Sequence, residues 1–81
     1  MGNNPIPKAP MGFRWIVDTS GSEVSVCLVD TLASFDVFCF PASGLEDPEV
    51  LQYVHDQVEA VDEKRKFIEK LEKMVEEANN G

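Results

Sequence analysis

His55 is the only histidine in the chain, and so the only side chain that would titrate near neutrality without perturbation. It stands four residues after Leu51 and three before Val58, beside an apolar stripe of helical period, where its ordinary role is that of a half-covered boundary residue. His55 and Glu59 are four apart and share a helix face, but two ligands do not make a zinc site. Cys27 and Cys39 lie on another segment without C-x-x-C spacing, so neither a metal nor a cofactor is expected. Nucleophilic catalysis needs a Ser or Cys beside an oriented base, and the chain has neither G-x-S-x-G nor a Cys-His context. The carboxylate pairs Asp62-Glu63 and Glu76-Glu77 are adjacent in sequence, which on a helix turns them about 100° apart and away from a common substrate. Gly12, Gly21 and Gly44 stand singly and form no phosphate-cradling loop. The expectation is binding, not catalysis.

Charge narrows what is bound. With 15 Asp and Glu against 7 Lys and Arg, the formal net charge is -8, and such a surface repels phosphate backbones instead of releasing their counterions. Direct nucleic-acid binding is not expected. A fixed array of carboxylates can instead occupy a basic groove that another protein keeps for nucleic acid, and Asp56, Glu59, Asp62 and Glu63 are the candidates. Their plainer reading is a solvated helix face laced by pairs such as Asp62-Lys66 and Glu69-Lys73, each contributing roughly a few tenths of a kcal/mol. A second candidate is a pocket for a small molecule or nucleotide at a subunit junction, lined by Trp15, Phe38, Phe40 and Arg14. Arg14 would hold a ligand phosphate there, or else pair with Asp18 or Asp36.

These residues must be held by few elements. The first ten residues, rich in Asn and Pro, read as a flexible extended tail without the apolar core of a signal peptide. From Phe13 to Asp18, Val24 to Asp30 and Phe35 to Phe40 the chain alternates or runs apolar in three short stretches, which predict an antiparallel β-meander. Alternation sets Phe38 and Phe40 opposite Phe35 and Val37, leaving apolar bulk on both faces. From Asp47 the period becomes helical, with Asp47 as N-cap, Pro48 at the first position and Glu49 in the first turn. The stripe Leu51, Val54, Val58, Val61 is followed by Phe67, Ile68, Leu71, Met74, Val75 and Ala78 across the polar stretch at residues 62–66. The fold expected is α+β: three strands and one long C-terminal amphipathic helix in a single domain over residues 11–81, the helix either continuous or folded back near residues 62–66.

A continuous helix over this span would be about 45 Å long, whereas six-residue strands reach only about 20 Å. The helix must overhang its sheet, exposing Phe67, Ile68, Leu71, Met74 and Val75. Exposure forfeits about 1.5 kcal/mol or more per large side chain, and a chain of 81 residues has little stability to lose. Because residues 62–66 contain no Gly, Pro or Asn, a fold-back is disfavoured and an isologous dimer through those five side chains is expected. No stretch is long and apolar enough to span a bilayer, and membrane attachment is not expected. Two cysteines without a secretory leader suggest free thiols in a reducing, cytoplasmic setting. Together these features describe a small acidic protein-interaction module, a homodimer that inhibits or adapts a partner protein, in the manner of small phage-encoded inhibitors of host enzymes or defence systems.

Overall fold

The computed structural model describes residues 4–80. Three strands, β1 (Phe13–Asp18), β2 (Ser25–Asp30) and β3 (Phe35–Pro41), form an antiparallel sheet in the order β1-β2-β3. The β1-β2 connection is tied by Asp18, whose Oδ1 accepts from the Ser20 amide at 2.9 Å and the Ser20 hydroxyl at 2.6 Å, an Asx turn in which an acidic side chain substitutes for a backbone acceptor. Asp30 does the same for the β2-β3 turn, accepting from the Leu32 amide at 2.8 Å, and Ser34 there takes a positive φ of 58°.

A short 3-10 helix, Ala42–Glu46, leads from Pro41 into α1, Pro48–Asn80. The start of α1 is as the sequence spells it: the Glu49 amide donates to Asp47 Oδ1 at 3.0 Å, satisfying one of the orphan donors of the first turn. The helix runs unbroken through residues 62–66, so the folded-back alternative is not adopted.

The first half of α1 covers one sheet face. Val54 is fully buried against Val26 and Phe40, Leu28 is buried beside them in the middle strand, and Ile6, Trp15, Phe38, Leu45 and Val50 close the cluster's rim. Trp15 meets Phe38 and Phe40 edge to face with centroids 5.7 and 5.9 Å apart, the arrangement that suits aromatic quadrupoles.

The structure departs from the sequence reading at three points. Register shifts between Leu28 and Val29, with Leu28 opposite Phe38 and Val29 opposite Asp36. Val37 is thus the extra residue of a β-bulge, and Phe35, opposite Asp30, returns to the helix-facing side that simple alternation denies it. Cys27 and Cys39 are directly opposed in the β2-β3 register and joined as a disulfide. The expected free thiols are corrected by that register, since residues directly opposite on antiparallel strands stand close enough to bridge; the inference of a reducing compartment falls with them. Finally, the segment before β1 is anchored: the Trp15 indole N–H donates to the Pro7 carbonyl at 2.8 Å, the Phe13 amide to the Pro10 carbonyl at 3.0 Å, and Ile6 packs on the core.

Candidate functional site

Three surfaces of α1 are distinguished by what the sheet does to the helix. Val54 and Val58, both buried, define the side that faces the strands. At 100° per residue, Asp56, Glu59 and Glu63 lie about 140° to 200° round from Val54, on the outer side, and all three are exposed. Among the described residues none of these three forms an ion pair; Asp56 accepts a single hydrogen bond, from Gln52 Nε2 at 3.0 Å.

Asp62 differs from its neighbours. It turns to the flank of the helix, where Arg65 Nη2 lies 3.1 Å and Lys66 Nζ 3.3 Å from its carboxylate. Hydrogen bonds from Arg65 and then Lys66 hold its carboxyl below the usual carboxylate value, since they favour the charged form. Arg65 also reaches Glu69 at 2.9 Å. Of the four acidic candidates, then, Asp56, Glu59 and Glu63 form one free stripe, and Asp62 belongs to an internal network. The expected Asp62-Lys66 pair is present, whereas Glu69 takes Arg65 as its partner, the guanidinium being one turn away on the same side.

The second surface is the overhang. Phe67, Ile68, Leu71, Met74 and Val75 are all exposed, between 41% and 60% of their full areas. The third lies where α1 passes the open end of the sheet. There Met11, Leu32, Phe35 and Val37 face Val61, Lys64 and Ile68 across a groove of about 570 Å³. Its sheet-side wall could not be read from the sequence, because it depends on the bulge that turns Phe35 toward the helix. The one available signal was the placing of Met11 and Leu32, large apolar residues at strand ends.

Trp15, Phe38 and Phe40 are brought together, but as interlocked core side chains, with Phe40 buried and the indole donor already satisfied by Pro7. Arg14 projects from the opposite sheet face and pairs with neither Asp18 nor Asp36. Within one chain the four therefore line no common cavity. His55 is exposed, its Nε2 3.2 Å from the Pro5 carbonyl, which places it on the N-terminal segment instead of beside a metal partner. Asp36 and the two cysteines cluster with side-chain atoms within 4.8 Å of one another, but sulfurs joined in a disulfide offer no thiolate to a metal.

No family model, no curated protein and no solved structure matches this chain. Among the described residues no helix is long and apolar enough to cross a membrane.

Proposed function

We propose that this protein is an acidic protein-interaction module, a homodimer that inhibits or adapts a partner by laying the outer stripe of α1 against a basic surface that otherwise receives nucleic acid. The observation that carries the reading is the free carboxylate stripe: Asp56, Glu59 and Glu63 follow one another at helical spacing, exposed and without an ion-pair partner among the described residues. Carboxylates already tied to lysines and arginines present little field to a partner. Carboxylates left free on a chain of net charge -8 attract a basic site over about a Debye length and raise the rate of encounter. The rest of the helix fits the same role, since its sheet-facing side supplies rigidity and its overhang supplies a surface for self-association.

The test is the triple variant Asp56→Lys, Glu59→Lys, Glu63→Lys. Wild-type protein on a solid support should capture a nucleic-acid-binding protein that duplex DNA displaces in competition, with affinity falling as salt rises. The triple variant should capture none of it. Equal capture by both proteins, or capture indifferent to DNA, would sink the acidic-groove reading.

A further inference from the structure

The sheet face turned away from α1 brings together three metal-ligating side chains that the strand sequence alone would scatter. Cys27 stands between Val26 and Leu28, which are buried on the helix side. Alternation therefore turns Cys27 to the other face, together with Cys39, its partner in register. Asp36 lies three residues before Cys39, and in a regular strand that odd spacing would send its side chain to the helix face. The bulge cancels the mismatch. Val37 is the extra residue, Asp36 pairs with Val29, and Val29 shares a face with Cys27. An Asp36 carboxylate oxygen thereby comes 3.9 Å from Cys39 Sγ, and one ligand atom from each of Cys27, Asp36 and Cys39 lies within 4.8 Å of the other two. Re-aiming one side chain is a recurrent use of a bulge.

We propose that Cys27, Asp36 and Cys39 form a redox-gated site for a borderline-soft divalent cation of the zinc type, closed while the disulfide stands and a three-ligand site once it is reduced. The inference goes beyond the acidic-stripe reading and shares no residue with it. The reductant is a dithiol. Its thiolate attacks the sulfur of Cys39, the exposed member of the pair, and Cys27 leaves and takes up a proton. The reductant's second thiol then resolves the mixed disulfide, so that two electrons and two protons pass to the protein and the reductant departs as a disulfide. The two thiols stay neighbours afterwards. Register on both sides of the pair, Val26 with Phe40 and Leu28 with Phe38, holds the two Cα atoms 4.1 Å apart, which is ladder geometry.

Tetrahedral zinc, about 2.3 Å from sulfur and about 2.1 Å from a carboxylate oxygen, needs its sulfurs about 3.8 Å apart and each sulfur about 3.6 Å from the oxygen. Small side-chain rotations bring the released thiols and Asp36 to those separations from the ones found here. On binding, the ion displaces both thiol protons. Three protein ligands leave a fourth position to water, the open form of a zinc site. Two thiolates select such an ion over calcium or magnesium, which take oxygen ligands.

Equilibrium dialysis of the full chain against zinc, and against cobalt as a spectroscopic substitute, tests the site in four samples: oxidised wild type, wild type reduced under anaerobic conditions, and reduced Asp36→Ala and Cys39→Ser. Reduced wild type should hold one zinc per chain, release about two protons for each ion bound, and show a thiolate-to-cobalt charge-transfer band. Oxidised wild type should do none of these. Asp36→Ala should weaken binding at least about tenfold, since even the outer-shell partners of a ligand weigh that much, and Cys39→Ser should weaken it further. Urea unfolding covers the case in which reduction loosens the strands: zinc should raise the midpoint of the reduced wild type, because an ion that binds only the folded chain stabilises it. Equal zinc uptake by oxidised and reduced chains would assign the metal to surface carboxylates and overturn the site. So would an Asp36→Ala variant that binds as tightly as wild type, one ion shared between two chains, or a reduced chain whose midpoint zinc does not move.

Discussion

Gly44 is buried beneath the first turn of α1, where an added Cβ would come 2.6 Å from Val50 Cγ1 and 3.3 Å from Val50 Cβ. The second distance involves an atom fixed to the helix backbone, so the clash is not relieved by a rotamer change alone. Gly44→Ala should destabilise the fold by about 1 to 3 kcal/mol in urea unfolding, and Val50→Ala in the same chain should recover only part of the loss. Asp62 makes a prediction of opposite origin. Its folded pKa is depressed by Arg65 and Lys66, so its contribution is present above the ordinary value of 3.8 and is lost as pH falls through the lower folded value. Acid titration followed by helix ellipticity should show a shallower acid limb in Asp62→Asn than in wild type. The sequence carries these roles unequally: Gly44 was one of several isolated glycines, whereas Asp62 was expected both as a partner-binding carboxylate and as the partner of Lys66, and only its contact with Arg65 went unread. Distinguishing them required knowing which side of the helix faces the sheet and where a long guanidinium settles.

The elements themselves are far more legible than the bonds between them. Apolar periodicity of two, then 3.6, locates all three strands and the helix, because half-buried elements must alternate with the geometry of their backbone. The capping Asp47 marks the helix start to the residue. The bulge between Leu28 and Val29 is different in kind, since it inserts one residue without leaving a Gly or Pro behind, and it reverses the face assigned to Phe35. The Cys27–Cys39 bridge was missed for a related reason: a sequence separation of 12 says nothing until register sets the two residues opposite each other. Closing so short a loop removes denatured-state entropy equivalent to about 3 kcal/mol. Reduction with a thiol should therefore lower the urea midpoint markedly while leaving the transition slope close to that of the oxidised protein. An unchanged midpoint would mean that strand pairing holds β2 and β3 as firmly without the bridge.

At the scale of the whole molecule, the chain extends 53 × 25 × 23 Å with a radius of gyration of 15.8 Å, against about 12 Å for a compact domain of this length. That excess is the overhang, and it could be foreseen by comparing the rise of a helix with that of a strand. How far each side chain of the overhang is exposed could be read only from the structure. If two copies associate through the overhang as proposed, their sheets stand at opposite ends of the pair, so small-angle scattering should give a radius well above 15.8 Å at concentrations where the dimer prevails. A value near that of the single chain, with dimeric mass, would require a different and more compact arrangement. The sheet carries a further consequence for the protein in concentrated solution. With β1 and β3 both at its margins, the meander has two rows of backbone donors and acceptors ready to template strands from other chains. Each margin is blunted: β1 by the charges of Arg14 and Asp18, β3 by its bulge, Asp36 and the terminal Pro41. Straightening the bulge would give β3 an even edge for another strand to pair with, so the irregularity that hid Phe35 from the sequence also serves to keep the sheet at three strands.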